Sequence, residues 1–415
     1  MKKLEKSVPV IRFKGFSEAW EQRELGELMN VKSVKRIHQS DWTDKGIRFL
    51  RARDIVSASK GKVPSEYLYI SRKIYEEYSK ISGKVENGDL LVTGVGSIGI
   101  PMLINHDEPL YFKDGNIIWF QNMKYINGEF FYYSFISYSI QKFIRDSAGT
   151  GTVGTYTIDS GRKTPIYLSN NNEQEKIGSF FKLLDNTIAL HQRKLDALKL
   201  MKKAFSQQIF PENNRKKPKI RFTSFYEEWE QRKIGEYGYF YYGKSAPKWS
   251  VAQDATTPCV RYGELYTKFG PEIDIVHSYT NIDKSNLKFS SGNEVLVPRV
   301  GENPLDFANC SWLSISNVAI GEMISVYNTE QYPLFIAYYF RSKMKYEFAK
   351  RVEGGNVSNL YYSYLEDILI SVPSIEEQKK IAEFLNKIDI TINLLQNKLG
   401  RIKELKKAYL QNMFI

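Results

Sequence analysis

The sequence predicts an α+β protein in which two mixed α/β domains, copies of one another, are separated by an antiparallel two-helix coiled coil. Three observations lead to this prediction. The chain contains two long stretches with the apolar spacing of paired helices, each stretch follows a domain-sized segment, and one short motif recurs in register at the start of both segments. The predicted order is therefore domain, long helix, domain, long helix.

The two long stretches cover residues 171–210 and 374–415. In each, apolar residues recur at alternating steps of four and three, which is the seam of a heptad repeat. His191 interrupts the first seam at the position of Leu395 in the second. A helix of about 38 residues is roughly 57 Å long, so two such helices are expected to pair as a stiff antiparallel rod. The seam residues are Ile177, Phe181, Leu184, Ile188, Leu195, Leu198, Phe205 and Ile209, and then Ile381, Leu385, Ile388, Ile392, Leu395, Leu399, Ile402, Tyr409 and Met413.

Each long stretch opens with a small polar residue three positions before a glutamate. Asn170 precedes Glu173 in the first stretch, and Ser374 precedes Glu377 in the second. This spacing predicts a capping box, in which the small side chain accepts a hydrogen bond from the first turn and the glutamate reaches back to the cap.

The motif that recurs at the start of each domain identifies the chain as a duplication. Residues 11–28 read IRFKGFSEAWEQRELGEL, and residues 220–237 read IRFTSFYEEWEQRKIGEY. The repeat predicts an N-terminal segment with the first domain at 1–170, a helical region at 171–210, the second domain at 211–373 and a helical region at 374–415. Similar ends with dissimilar middles predict that the two domains perform different versions of one task.

Short β-branched and aromatic runs predict the strands of the two domains, and longer apolar runs predict their helices. The strands are expected at 89–93, 116–120, 293–297 and 318–326, and the helices at 130–145 and 334–351.

Composition favours a folded protein with a polyanionic partner. The 415 residues include 42% hydrophobic and 14% aromatic side chains, and the formal net charge is +12. A basic balance of this size favours nucleic acid, although many basic proteins use their charge for solubility. Two cysteines without a pairing pattern, no signal-peptide segment and no long apolar run predict a cytoplasmic protein that is not in a membrane.

The sequence gives no pattern typical of an enzyme. The stretch TGVGSIG at 93–99 lacks the lysine and serine or threonine of a phosphate-binding loop, so we interpret it as a turn at the end of a strand. The four histidines and two cysteines lack metal-ligand spacing, and no nucleophile with a base recurs in both copies. We therefore expect no catalytic residues, no metal and no cofactor on this chain.

Basic residues interleaved with aromatic and small polar ones are the candidates for contacts with nucleic acid. Arginine can donate two hydrogen bonds to guanine, asparagine can pair with adenine, and lysine neutralises phosphate. The prediction concerns the group, because any one of these side chains is more often part of a solvated face. In the first domain the candidates are Arg48, Arg51, Arg53, Lys60, Lys62, Ser97, Lys113, Thr150, Thr152 and Thr155. In the second they are Tyr241, Tyr242, Lys244, Lys248, Arg261, Lys268, Arg299, Asn303, Arg351, Asn356, Ser358 and Asn359.

The duplicated pattern resembles that of the specificity (S) subunits of type I restriction–modification systems, and the resemblance covers the whole chain. Those subunits alternate two variable target recognition domains with two similar helical regions. The helix openings NEQEKI at 172–177 and EEQKKI at 376–381, and the WEQR segments at 20–27 and 229–236, match the region boundaries of that family. The first boundary departs from the pattern, since Asn170 stands where the second copy has Ser374 after a proline.

The resemblance implies a non-catalytic reader of double-stranded DNA. Each target recognition domain would bind one half of an asymmetric bipartite site, and the helical regions would set the unread spacer. Two modification (methyltransferase) subunits would dock on the helices and carry S-adenosylmethionine. Restriction subunits that use ATP and Mg would join that core.

Two other classes of protein remain open at this point. One is a stand-alone sequence-specific DNA-binding regulator, and the other is a scaffold whose long helices bind only protein. Co-purification with a methyltransferase separates both from the specificity subunit.

Overall fold

The computed structural model describes residues 8–148, 154–212, 215–244, 247–251 and 254–415. The chain divides into two compact units. The first contains the residues up to Gln192 together with Asn397–Ile415, and the second contains Arg193–Gln396. Each unit thus combines one domain with part of both long helices. Within the described residues, no helix has the length and apolar character needed to cross a membrane.

The first unit contains two four-stranded sheets, with strand orders β2-β9-β6-β7 and β3-β5-β4-β8, and a ribbon of β1 and β10. The strands are β1 (Glu21–Glu24), β2 (Asn30–Lys32), β3 (Trp42–Thr43), β4 (Ile47–Leu50), β5 (Leu68–Ile70), β6 (Leu90–Thr93), β7 (Pro101–Leu103), β8 (Leu110–Phe112), β9 (Ile117–Gln121) and β10 (Pro165–Leu168). The helices are α1 (Leu25–Leu28), α2 (Ala52–Ser59), α3 (Arg72–Ser82), α4 (Gly128–Phe135), α5 (Tyr138–Ser147), α6 (Ile158–Arg162) and the start of α7 (Asn171–Gln208).

Strand β6 is buried on both faces, which explains its unbroken apolar sequence. Leu90 and Val92 lie in a core with the helices α4, α5 and α7. Leu91 points the other way and joins Trp119 and Phe112 in the core beneath the second sheet. The sheet that contains β6 therefore lies between a layer of helices and the second sheet.

The second unit repeats this arrangement around the strand order β12-β20-β16-β18-β14, beside the smaller sheets β15-β13-β19 and β17-β22-β21 and the ribbon of β11 and β23. The strands are β11 (Glu230–Lys233), β12 (Gly238–Tyr242), β13 (Thr257–Val260), β14 (Glu272–Ile273), β15 (Ser278–Thr280), β16 (Glu294–Pro298), β17 (Val300–Gly301), β18 (Ser311–Leu313), β19 (Ala319–Ile320), β20 (Ile324–Thr329), β21 (Glu353–Gly354), β22 (Ser358–Asn359) and β23 (Leu369–Val372). The helices are α8 (Tyr262–Thr267), α9 (Pro333–Lys343), α10 (Lys345–Ala349) and α11 (Ile375–Asn412).

The recurring WEQR motif forms a strand that pairs with the strand directly before a long helix. β1 pairs antiparallel with β10, and β11 pairs in the same way with β23. Strands β10 and β23 come directly before α7 and α11. Trp20 and Trp229, which open the motif, are 2% and 1% exposed. The repeat is therefore explained by its position under the start of each long helix.

A pair of charged side chains connects each motif to its helix. Arg12 donates from Nε and Nη2 to the carboxylate of Glu173 at 2.6 and 2.7 Å, and Trp20 Nε1 adds a hydrogen bond at 3.2 Å. Arg221 donates to Glu377 in the same two-pronged way, at 2.8 Å for both bonds. The two glutamate side chains are 0% and 1% exposed.

These ion pairs correct half of the predicted capping box. The first-turn amides of Glu173 and Glu377 do donate to Asn170 Oδ1 at 3.0 Å and to Ser374 Oγ at 3.4 Å, as expected. The glutamate carboxylates do not return to the cap, because they bind the arginines instead.

The next residue of each helix binds the domain. Gln174 Oε1 accepts from the backbone amide of Asn127 at 3.1 Å, and Gln378 Oε1 accepts from that of Tyr332 at 2.9 Å. Asn127 and Tyr332 are the N-caps of α4 and α9. The Glu-Gln dipeptide thus holds the motif with one side chain and the domain with the other.

The predicted antiparallel pairing of the long helices is confirmed inside each unit. In the first unit Phe180 contacts Tyr409 with ring centroids 5.1 Å apart. In the second unit Phe205 contacts Phe384 at the same distance. From Phe180 to Asp185 the chain runs forward along α7, while their partners Tyr409 and Lys406 run backward along α11. In the second unit Lys202 and Phe205 pair in the same sense with Asp389 and Phe384.

An aspartate on each long helix also binds a tyrosine of the domain. Tyr133 donates to Asp185 at 2.7 Å, and Tyr338 donates to Asp389 at 2.8 Å. Asp389 in turn pairs with Lys202. The same three residue types therefore join domain and both helices in each unit.

Several predicted elements prove to be divided. The helix expected at 130–145 is two helices, α4 and α5, and that expected at 334–351 is α9 and α10. The strand expected at 318–326 is β19 and β20, separated by a turn in which Met323 has a φ of 63°. The other three strands and both long helices are confirmed to within a few residues. His191 uses its ring Nδ1 for a contact with the Thr187 carbonyl at 2.9 Å.

We expect the substitution Glu377→Leu to destabilise the second unit by about 3 kcal/mol, because it leaves the guanidinium of Arg221, whose side chain is only 14% exposed, without its carboxylate partner. Urea unfolding of the full chain measures the loss. The double substitution of Arg221→Met with Glu377→Leu is expected to recover most of it.

Glu230→Ala is the matched control, since Glu230 forms an exposed ion pair with Arg232. Such a pair contributes about 1 kcal/mol or less. A Glu377→Leu variant as stable as this control would contradict the structural role of the pair.

Candidate nucleic-acid interface

Candidates from two parts of the first domain meet where β4 and β8 end. These strands are parallel neighbours. Arg51 follows β4 and Lys113 follows β8, and the Lys113 amide donates to the Leu50 carbonyl at 2.8 Å. The exposed Lys60 and Lys62 follow α2, the helix that begins after Arg51.

Arg51 is held by carboxylates of its own chain. It donates from Nε to Asp54 at 3.2 Å and from Nη1 to Glu66 at 3.1 Å, and its side chain is 12% exposed. Arg53 also binds Glu66, at 2.9 Å. Arg51 is thereby fixed at the N-cap of α2, and a role in binding DNA stays a prediction for both arginines.

Arg48 is held by an aromatic ring instead. Its guanidinium carbon lies 3.9 Å from the ring centroid of Tyr67, and its Nη1 is buried without a hydrogen-bond partner. Burial lowers the pKa of Arg48 from its ordinary value.

The loop after β6 is a turn, as its sequence indicates. Thr93 Oγ1 accepts from the Ile100 amide at 3.0 Å, and Gly96 and Gly99 adopt left-handed φ angles of 77° and 72°. The exposed Ser97 lies in this turn, and Val95 forms a β-bridge with Thr155. The candidates Thr150 and Thr152 lie outside the described residues.

Arg299 in the second unit occupies the position that Gly94 has in the first. The Gly94 amide donates to Asn116 just before β9, and its carbonyl accepts from Tyr156. The Arg299 amide donates to Met323 just before β20, and its carbonyl accepts from Leu360. The bridge between Val95 and Thr155 corresponds in the same way to the pairing of β17 with β22.

Two tyrosine rings flank the Arg299 side chain. The guanidinium carbon lies 4.6 Å from the ring centroid of Tyr242 and 5.8 Å from that of Tyr361. The Nε atom of Arg299 is buried without a hydrogen-bond partner. No carboxylate among the described residues forms a salt bridge with the Arg299 guanidinium. Burial raises the pKa of Tyr242, and the positive charge of Arg299 partly offsets this.

Two lysines lie beside this arrangement. Lys288 donates to the Tyr242 carbonyl at 2.8 Å and lies over the ring of Tyr241 at 5.2 Å. The exposed Lys244 contacts the Ser285 carbonyl at 3.5 Å. Sequence reasoning missed Lys288 and Tyr361, whose only signal was the clustering of tyrosine and lysine in this half of the chain.

The strand β22 brings part of the predicted set to Arg299. Asn359 pairs with Val300, next to Arg299, and the exposed Asn356 lies in the turn between β21 and β22. Ser358 is 4% exposed, so its side chain does not reach the surface in this structure.

The other candidates of the second unit have partners in their own chain or lie apart. Lys268 pairs with Glu264 at 2.9 Å, and Arg351 pairs with Glu347 at 2.8 Å. The remaining three are not brought to Arg299 by any contact found in the described residues. Asn303 caps a short 3₁₀ helix, the Arg261 amide donates to Glu264, and Lys248 is exposed on another 3₁₀ turn.

The two cysteines lie in surroundings that suit a structural role. Cys259 and Cys310 are buried, and burial raises the pKa of the Cys259 thiol to about 11. In the described part of the chain, no group of three or more histidine, cysteine, aspartate or glutamate side chains could hold a metal ion.

The chain is similar to proteins of one kind along most of its length. The model of a family described as "Type I restriction modification DNA specificity domain" matches residues 17–200 and 226–404. The putative type I restriction enzyme specificity subunit S.HindORF215P of Haemophilus influenzae is 30% identical over 169 residues, which are 40% of this chain and 41% of that protein. The putative type I restriction enzyme MjaX specificity subunit of Methanocaldococcus jannaschii is 26% identical over 246 residues, 57% of this chain and 55% of that one. The chain thus matches about half the length of these curated relatives.

Solved structures share the fold at low sequence identity. The S subunit of a type I restriction–modification system from M. genitalium has a TM-score of 0.60 and 13% identity, over 99% of both chains. A chain from a study of complex assembly and conformational transition of the type I R-M system has a TM-score of 0.51 and 15% identity, over 94% of this chain and 96% of that one.

We expect Arg51→Ala to lower the free energy of unfolding by about 2 kcal/mol, because it leaves the buried Asp54 carboxylate without a charged donor. Lys60→Ala, at the exposed C-cap of the same helix, is expected to change it by about 0.5 kcal/mol or less. Urea unfolding measures both. An Arg51→Ala variant with unchanged stability and weakened DNA binding would contradict the structural role and indicate that Arg51 contacts DNA.

Proposed function

Because the chain belongs to the family of type I restriction–modification DNA specificity domains, we propose that it is the specificity subunit of such a system. In this role it reads an asymmetric, bipartite site in double-stranded DNA, one half with each unit. The observation that carries the proposal is the family match to both copies, residues 17–200 and 226–404.

The differences between the copies support an asymmetric site. The backbone around Gly94 and Arg299 is hydrogen-bonded in the same way, yet one position has no side chain and the other presents a guanidinium. Two domains with a common backbone and different exposed side chains suit two different half-sites, because direct readout depends on the donors and acceptors presented to the bases.

The long helices offer surfaces for protein partners. Leu190 and Leu394 occupy equivalent positions of the two copies and are 58% and 64% exposed. Met201 and Leu405 are a second equivalent pair, at 48% and 47%. Exposed apolar side chains are typical of binding surfaces. We assign these exposed residues of the long helices to the binding of two methyltransferase subunits. Restriction subunits complete the complex.

The chemistry belongs to those partners in this proposal. The methyltransferase subunits supply S-adenosylmethionine and the methyl transfer to adenine, and the restriction subunits supply ATP-driven steps with Mg. This chain contributes sequence recognition and assembly, and has no catalytic residue of its own.

Sequencing of methylated adenines in a host that expresses the chain with its methyltransferase subunits tests the proposal. The expected result is one asymmetric motif of two short halves separated by unread bases. Methylation without such a motif, or the same motif when this chain is absent, would contradict it.

Binding of the complex to DNA is expected to weaken steeply with salt, since lysine and arginine release counterions from phosphate. The substitution of both Lys60→Ala and Lys62→Ala is expected to make the slope of log K against log salt shallower by about 2. Fluorescence anisotropy across a salt series measures it. As a control, Lys163→Ala removes a lysine that pairs with Asp159 and is expected to leave the slope unchanged.

A further inference from the structure

We propose that Arg299 reads a guanine in the half-site bound by the second unit. This assignment rests on the proposed function and names one residue, one base and one set of donor atoms within it. The guanidinium would donate two hydrogen bonds to N7 and O6 of the guanine, which is the pairing that its fork of N–H groups fits.

The surroundings of Arg299 hold the side chain in place without using its donors. Tyr242 and Tyr361 lie at 4.6 and 5.8 Å from the guanidinium carbon. Arginine stacks on aromatic rings through its planar face, which leaves the N–H groups at its edge for a ligand. Because the rings already order this long side chain, less conformational entropy is lost when DNA binds.

The guanidinium of Arg299 has no acceptor among the described residues. Its Nε is buried without a hydrogen-bond partner, and an unsatisfied buried donor is costly. Its two Nη groups also make no hydrogen bond there, and because they are not buried they are the donors that a base can reach. Three other arginines of this unit have acceptors in their own chain: Arg221 binds Glu377, Arg351 binds Glu347, and Arg341 binds the Gly270 carbonyl. Arg299 has the geometry of a positioned side chain whose partner comes from outside the chain.

A base fits this position better than a phosphate does. Phosphates are the same along any DNA, so a residue that contacts one has no reason to change when the sequence read changes. The first unit has Gly94 at this point of an otherwise matching backbone. The exposed Lys244 and Lys288 lie nearby and can neutralise the backbone.

A comparison of guanine with 7-deazaguanine tests the assignment, because 7-deazaguanine lacks the N7 acceptor. The full chain in complex with its methyltransferase subunits is bound to duplexes carrying the methylated motif, with each guanine replaced in turn. Anisotropy gives Kd for the wild type and for Arg299→Lys, which keeps the charge and loses the fork. Arg232→Lys, at an exposed ion-paired arginine of the same unit, is the control.

We expect one guanine at which the replacement weakens wild-type binding about tenfold, in line with the discrimination of a bidentate pair. Arg299→Lys is expected to bind the natural motif about tenfold more weakly and to lose sensitivity at that guanine alone. Arg232→Lys is expected to behave like the wild type. Such non-additivity between residue and base identifies a direct contact.

Three outcomes overturn the assignment. The wild type shows no guanine sensitive to the loss of N7, or Arg299→Lys keeps the wild-type sensitivity at every guanine, or it weakens binding to the motif and to unrelated DNA equally, as a phosphate contact would. If Arg299→Lys fails to fold, Arg299→Gln decides between the same outcomes. A wild-type complex without sequence-selective binding would instead refute the proposed function.

Discussion

The Glu-Gln dipeptide at the start of each long helix is the contact on which each unit depends. Glu173 and Glu377 bind the arginine of the recurring motif, and the following glutamines bind the N-cap residues of α4 and α9. All four side chains are buried, and their hydrogen bonds go to groups of the same chain. Because the motif, the domain and the helix meet at these two residues, the ends of the two copies are alike while the segments between them differ.

The start of each motif shows how each unit is closed. The Ile220 amide donates to the Gln208 carbonyl at the end of α7, and the Ile11 amide donates to the Asn412 carbonyl at the end of α11. The end of α11 thus completes the first unit in the same way as the end of α7 completes the second. A common frame of this kind leaves the residues exposed on each domain free to change, as Gly94 and Arg299 do, without loss of the fold.

The sequence predicted what is local or periodic and missed what depends on distant residues. The long helices and the caps follow from spacing alone, and both are confirmed. The return bond of the capping box was wrong, because Arg12 lies 161 residues from Glu173 and its approach leaves no trace in local spacing. The helix at 130–145 is broken in the same way by packing, since Ile136 and Ser137 turn the chain between two buried faces. The candidate residues were named as a group, and only the fold separates Arg51, held by Asp54 and Glu66, from Arg299, held by tyrosines.

The central claim is that one repeated frame carries two independent readers. Its most direct test is to exchange residues 21–169 for the corresponding domain of another member of the family, leaving the recurring motif's start and both long helices in place. Methylated adenines are then sequenced in a host that expresses the hybrid with its methyltransferase subunits. The account predicts that one half of the motif changes while the other half remains. A change in both halves would contradict it.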